Sequence, residues 1–352
     1  MARTDDSASA DPSPAPSRHL AARIEDRLHA FRERRARKRG MTPTIIPYTG
    51  YGAPGWTRVL CRVLLTKPSG DGAPRYKKIR GWRSFTSVPV DDVVVTVRIG
   101  AFEAEVTADR GGVVDARLPI DLPPGWHSIV LTAEDADEVE SPVYVVDPAT
   151  AFGIISDIDD TVMVTALPRP LLAAWNTFVL DEHARTPVPG MAVLYERFSR
   201  QHPGAPVFYL STGAWNVAPT LTRFLSRNLY PPGPLLLTDW GPTHDRWFRS
   251  GRAHKVDSLN RLAEEFPGVR WLLVGDDGQH DEELYAQFSA RHRDGIAAVA
   301  IRQLSPSEAM LAGGRSKGED HSDGPPWVYG ADGAGIAERL SDLGLLDPTE
   351  GS

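Results

Sequence analysis

From Gly153 to Ile301, short apolar runs of strand type alternate with segments of helical period. This alternation restricts the second half of the chain more than any other feature. The strand-like runs are Gly153 to Ser156, Val207 to Leu210, Trp271 to Val274 and Ala297 to Ile301. The helical ones are Met191 to Arg200, Val217 to Arg227, Lys255 to Glu265 and Glu282 to Arg291. Strands separated by helices pair in parallel, with the crossover helices covering the sheet. Strands buried on both faces are apolar throughout rather than alternating, as these are. Sheets of this kind bind ligands beyond the carboxyl ends of their strands. The polar residues that follow each run are therefore the ones to weigh.

Three strand ends carry an informative set. The first reads Ile154-Ile155-Ser156-Asp157-Ile158-Asp159-Asp160-Thr161. Residues two apart on an extended backbone face the same way, so Asp157 and Asp159 can share one site. Like charges that close persist only with a cation or a shared proton. A hard, oxygen-seeking ion such as Mg2+ satisfies that demand. The second end, Leu210-Ser211-Thr212-Gly213, offers a small hydroxyl and a glycine that lets backbone approach a ligand. The third, Val274-Gly275-Asp276-Asp277-Gly278 with Asp281 beyond it, adds carboxylates suited to completing a metal shell. Lys255, read as opening a helical segment, adds a positive charge.

Together these are parts for phosphoryl transfer. A carboxylate can attack phosphorus and split one hard step into two through an aspartyl-phosphate. Asp157 is the expected nucleophile. Asp159 is the expected acid for the leaving oxygen and then the base for water. Ser211, Lys255 and the metal would hold the equatorial oxygens. Each residue also has a plainer reading: Ser211 as a helix cap, Lys255 as a surface lysine, Asp277 as a group that orients ligand or water. Asp281, Glu282 and Glu283 suit a first helical turn, where acids favour the macrodipole. His244, His254 and His280 are read as ordinary histidines. Trp215, Trp240 and Trp247 are read as core or as lining for a pocket mouth.

The order Asp157-x-Asp159-x-Thr161, Ser211, Lys255, Asp276-Asp277 resembles that of the haloacid dehalogenase-like phosphatases. The resemblance implies metal ligation by Asp157, by the main-chain carbonyl of Asp159 and by Asp276, with Asp277 as a further candidate. A closer resemblance is to the actin-patch phosphatidate phosphatase family. It rests on Pro189-Gly190-Met191, Ser211-Thr212-Gly213-Ala214-Trp215, Gly275-Asp276-Asp277-Gly278-Gln279-His280-Asp281 and Ile301-Arg302. It covers Phe152 to Arg302 and implies hydrolysis of phosphatidate to diacylglycerol. The chain departs from the family's usual pattern at Thr212-Gly213-Ala214 and at Asp277. Two other readings stay open: the same chemistry on a soluble phosphomonoester, and a non-catalytic lipid-binding scaffold.

The first half has another rhythm. Val59 to Leu65, Val93 to Ile99, Glu103 to Thr107, Val113 to Leu118, His127 to Ala133 and Ser141 to Val146 are short and β-branched, and Gly, Pro and Asp turns divide them. Their spacing predicts a small antiparallel β-sandwich, with a hairpin turning at Gly100-Ala101. The expected fold is thus α/β, a haloacid dehalogenase-like three-layer parallel sheet domain preceded by that sandwich. Its expected divisions are a disordered tail over 1–17, a basic amphipathic helix over 18–40, a sandwich over 41–148, a phosphatase domain over 149–304, and a mobile loop with a C-terminal helix over 305–352. A length of 352 residues suits two modest domains with tails.

In the N-terminal helix Leu20, Ile24, Leu28 and Phe31 form an apolar stripe among many arginines, and Gly40 is placed to stop it. That basic face is either solvated or set against anionic membrane. The chain's formal charge of −7 gives no support to nucleic-acid binding. Cys61 is the only cysteine, which excludes an internal disulfide and suits a reducing, cytoplasmic setting. No run approaches the roughly 20 apolar residues that cross a bilayer, so contact with a membrane would be peripheral.

Overall fold

The computed structural model describes residues 27, 30–67, 87–164, 185–238, 244–278, 281–311, 314 and 324–348. The chain is α/β, with one mainly antiparallel sheet followed by one parallel sheet. The expected tail over 1–17 and residues 165–184 lie outside the described residues. So do Trp240, His280, most of the polar loop after Ser305, and Leu20, Ile24 and Leu28 of the basic helix.

Helix α1 covers residues 30–38. It ends where Gly40 takes a φ of 73°, the left-handed conformation that closes a helix most cheaply with glycine. Its buried contact is Ala36, while Phe31 is 56% exposed. The stripe therefore does not pack through Phe31.

Among the described residues nine strands follow: β1 (Thr42–Pro47), β2 (Gly50–Ala53), β3 (Trp56–Thr66), β4 (Val88–Pro89), β5 (Val94–Ile99), β6 (Phe102–Thr107), β7 (Val113–Leu118), β8 (Gly125–Ala133) and β9 (Val139–Val145). The expected hairpin is present: β5 and β6 pair antiparallel with Ile99 opposite Phe102, and Gly100 has a φ of 56°. Where a sandwich is expected, hydrogen bonding connects these strands into one sheet. The bridge is β2, antiparallel to β3 on one side and parallel to β9 on the other. The sheet curls so that β1 lies against β8 and β9. Ile45, Cys61, Val63, Val97, Ile129 and Val143 fill the enclosed core.

The second sheet holds β10 (Phe152–Asp157), β11 (Val207–Ala214), β12 (Leu235–Thr238), β13 (Arg270–Asp276), β14 (Ile296–Arg302) and β15 (Trp327–Gly330). Every pairing is parallel. Its order is β12-β11-β10-β13-β14-β15, so the chain winds outward from β10 in one direction and then in the other. That reversal beside β10 is a topological switch point, where the ends of neighbouring strands leave a crevice. The helices are α2 (Met191–Gln201), α3 (Ala218–Arg227), α4 (His244–Glu265), α5 (Asp281–Arg291), α6 (Pro306–Leu311) and α7 (Gly333–Asp342). Lys255 lies in the middle of α4 rather than at its start, because the helix begins eleven residues earlier, at His244.

The two sheets pack against each other along a shared seam. Tyr51, fully buried on β2, meets Phe208 at 5.0 Å edge-on and Phe266 at 6.0 Å. Arg58 donates to Asp115 and to Glu265, each at 2.6 Å, and Arg261 donates to Asp115 at 2.7 Å. Burial alone would raise Asp115, but the guanidinium groups of Arg261 and Arg58 outweigh it and hold the carboxyl below its ordinary range.

Candidate active site

The register of the parallel sheet brings the three strand ends together. Asp157 closes β10 opposite Leu210, which places Ser211 one residue further on β11. Ser156 lies opposite Val274, which places Asp276 two residues further on β13. Oxygen atoms of Asp157, Asp276 and Asp281 lie within 4.8 Å of one another. Lys255 reaches into this group from α4. Its Nζ is 2.6 Å from Asp157 Oδ1 and 2.7 Å from Asp281 Oδ1.

Asp159 faces the same crevice from the turn after β10. Its Oδ2 accepts from Ser211 Oγ at 3.0 Å, and Ser211 Oγ in turn accepts from the Gly213 amide at 2.9 Å. The turn is tight: the Val162 and Met163 amides both donate to Ile158 O, at 3.0 and 3.2 Å, and the Asp160 amide donates to Met163 O at 2.9 Å. Asp160 takes a φ of 57°, a left-handed position that Asp tolerates better than most residues. Buried Arg302 donates from Nη1 to Asp160 O at 2.7 Å and from Nη2 to Glu308 at 2.7 Å. The turn is thereby tied to the far end of β14.

Electrostatics at the site are strained as it stands. Burial raises Asp157 well above the ordinary carboxylate range; Lys255 opposes this, and Asp281 and Asp159 add to it. Burial likewise raises Asp276, with Asp281, Asp157 and Asp160 adding to it. Asp159 is raised by burial against the Ser211 hydrogen bond and the charges of Lys255 and Arg185. Burial would depress Lys255, but Asp157 and Asp281 hold it far above its usual value. Carboxylates in this state gain from a cation among them. Asp159 Oδ1, Thr161 Oγ1 and Asp281 Oδ2 are buried without a partner among the described residues. Hard oxygen donors with unused valence fit a divalent ion such as Mg2+ and an oxygen-rich substrate.

The expected ligand Asp277 is placed differently. Its Oδ1 accepts from the Leu304 amide at 2.8 Å, and its own amide donates to Arg302 O at 2.9 Å, so it ties β13 to the exit of β14. The carboxylate that joins Asp157 and Asp276 instead is Asp281, at the first residue of α5. Sequence favours the first helical turn for Asp281 over the cluster, but the two are compatible, and Asp281 occupies both. Gly275 makes room for it: a Cβ there would stand 2.9 Å from Asp281 Oδ2 and 2.7 Å from Tyr285 Cε2. Arg302 entered the sequence reading only within a resemblance, and Arg185 did not enter it. Neither lies at the spacing of a chemical motif.

Residues 152–303 match the family described as phosphatidate phosphatase APP1, catalytic domain. A 158-residue stretch is 28% identical to phosphatidate phosphatase APP1 of Saccharomyces cerevisiae, covering 44% of this chain and 26% of that protein. A 184-residue stretch is 25% identical to an uncharacterized protein of Schizosaccharomyces pombe, covering 51% of this chain and 30% of that protein. The chain thus spans less than a third of the length of the curated relatives it matches. Among solved structures, a carbohydrate acetylesterase from Xanthomonas citri aligns over 76% of this chain and 72% of its own, at 10% identity and a TM-score of 0.28, too low for a shared fold.

Proposed function

We propose that this chain, whose residues 152–303 match the actin-patch phosphatidate phosphatase catalytic domain, hydrolyses a phosphomonoester by that family's chemistry, with phosphatidate as substrate. The observation that carries the reading is the convergence of Asp157, Asp276 and Asp281 around Lys255 at the switch point of the parallel sheet. The fold reading is haloacid dehalogenase-like, supported by a central β10 that ends in the first acidic motif and by the winding of strands to both sides.

In the first step an oxygen of Asp157 attacks phosphorus and the bond to the lipid oxygen breaks. Protonated Asp159, whose raised pKa suits an acid, gives its proton to the leaving alkoxide to yield diacylglycerol. Asp159 then takes a proton from water, which attacks the phosphorus of the aspartyl-phosphate. Phosphate leaves and the Asp157 carboxylate is restored. Ser211 Oγ and Lys255 Nζ, now bonded to carboxylates of the site, turn to the equatorial oxygens when the phosphoryl group enters. A magnesium ion bound by Asp157 and Asp276, with Asp281 beside them, would neutralise charge on the phosphoryl group.

The direct test compares phosphate release from phosphatidate micelles and from a panel of soluble phosphomonoesters, each with Mg2+ and with chelator. Turnover of phosphatidate that disappears with chelator is the expected result. Activity confined to the panel would replace the lipid reading with a soluble substrate. No activity on any of them would leave a lipid-binding scaffold.

A bilayer substrate calls for contact with an anionic surface, and α1 is our choice for it. Arg32, Arg34, Arg35, Arg37, Lys38 and Arg39 are all exposed, and Glu33 pairs with Arg37 at 2.9 Å. Each cation near an anionic membrane contributes about 1 kcal/mol. Reversing three of them, Arg34→Glu, Arg35→Glu and Lys38→Glu, is expected to weaken co-sedimentation with phosphatidate-containing vesicles by roughly a hundredfold. Sedimentation equal to that of the unaltered chain would remove α1 from the reading. No helix among the described residues is long and apolar enough to cross a membrane.

A further inference from the structure

Tyr48 belongs to the first sheet's part of the chain, in the two-residue link between β1 and β2, yet it touches the crevice loop of the second sheet. Its hydroxyl donates to the main-chain oxygen of Trp215 at 3.0 Å, and its ring stacks on the Trp215 indole at 4.7 Å and 19°. Both side chains are buried. Tyr48 is itself anchored by its backbone. Its amide donates to Leu60 O at 3.0 Å, and its carbonyl accepts from Ser141 Oγ at 3.0 Å. The position of the hydroxyl is therefore set by β3 and β9.

Trp215 is four residues past Ser211. Between them the Gly213 amide donates to Ser211 Oγ, and Thr238 Oγ1 on β12 donates to Thr212 O at 2.9 Å. The segment from Ser211 to Trp215 is held from β12, where Thr238 pairs with Ala214 and also donates to Gly213 O at 3.3 Å, and from Tyr48 at its end. Ser211 Oγ has its direction fixed by this segment and donates from there to Asp159.

We infer that Tyr48 is a positioning residue for the reaction, acting through Trp215 to hold Ser211 in register with Asp159 and the phosphoryl group. The inference rests on the phosphatase reading for the reaction it serves. It makes the first sheet part of the catalytic apparatus, because the hydroxyl and the stacked ring both come from the link between β1 and β2. Trp215 O also accepts from the Ala218 amide, so losing the hydroxyl removes one of these two bonds, and with it the tie that fixes the segment from β3 and β9. A shift of about 1 Å in a positioned group costs up to roughly a hundredfold in rate.

The test uses Tyr48→Phe in the full chain, which keeps the ring stack and removes the donor. Steady-state kinetics on p-nitrophenyl phosphate with Mg2+ are expected to show kcat lower by roughly tenfold, with KM within about twofold. Amide exchange of residues 211–217 is expected to accelerate while β13 keeps its protection. An active unaltered chain and a Tyr48→Phe variant with the same kcat would overturn this inference alone. A fall in kcat accompanied by equal loss of protection in β13 would also overturn it, because the effect would then be general loosening. A chain that releases no phosphate from any substrate would remove the phosphatase reading and this role with it.

Discussion

Asp157→Asn is expected to lower phosphate release by about 10⁴-fold or more, with the fold retained. A nucleophile has no partial substitute here. The amide nitrogen is not nucleophilic toward phosphorus, and the amide oxygen carries no full charge. Removing a residue that forms the covalent intermediate therefore stops the two-step route rather than slowing it. The fold should stay because Asn is nearly isosteric, and its carbonyl can still accept from Lys255, which now donates at 2.6 Å. Asn also relieves a buried charge that the site holds at a cost, as the raised pKa of Asp157 records. Thermal unfolding should therefore move little or upward while activity disappears. Equal rates in variant and unaltered chain would dismiss Asp157 as nucleophile. A loss of only tenfold to a hundredfold would reduce it to an electrostatic role.

Lys255→Met is expected to act on stability as well as on rate. Lys255 Nζ lies between Asp157 Oδ1 and Asp281 Oδ1, and both carboxylates are buried. Removing one partner of a buried ionic group typically costs 3–5 kcal/mol, roughly, because the remaining charge is left without compensation. In a chain of 352 residues that corresponds to a fall in unfolding midpoint of roughly 4–7 °C. The pH dependence has a definite sign. The folded pKa of Lys255 lies above its unfolded value, so its contribution is complete below the ordinary lysine pKa near ~10.4 and fades as pH rises through the raised value. The deficit of the variant should therefore be present throughout the neutral range, where differential scanning calorimetry can read it. A midpoint within about 2 °C of the unaltered chain would mean that the carboxylates do not depend on this lysine. Activity should fall as well, since the same Nζ is the cation nearest the nucleophile.

The two predictions differ in what they diagnose. Asp157→Asn separates chemistry from folding, because an isosteric neutral group leaves the packing intact. Lys255→Met joins them, because one side chain holds the acidic cluster together and faces the reacting atoms. A site in which one lysine offsets several buried carboxylates makes that coupling unavoidable.

Much of this architecture follows from local pattern alone. The alternation after Gly153 dictates a parallel sheet, because apolar strands separated by helices have no other way to bury both faces. The hairpin at Gly100-Ala101 follows from paired β-branched runs and a glycine able to take positive φ. Asp157, Ser211 and Asp276 could be picked out since each follows an apolar strand, and such strand ends share one edge of the sheet. Strands β1, β2, β4, β12 and β15 are short or carry Gly and Pro, and their sequence signal is correspondingly faint.

The tertiary structure alone decided what depends on distance across the fold. Asp281, not Asp277, meets Asp157 and Asp276, because α5 starts against Gly275 while the backbone turns Asp277 toward Leu304. Lys255 reaches the cluster from the middle of a helix that begins at His244, a start that no residue near 255 marks. The unbroken path of the first sheet depends on β2 meeting β9, which lies some ninety residues away in the chain. The contact of Tyr48 with Trp215 joins residues 167 apart. Local sequence fixes backbone conformation and burial pattern, which are properties of neighbours. Which carboxylate faces which cation is a property of packing, and only the folded chain has it.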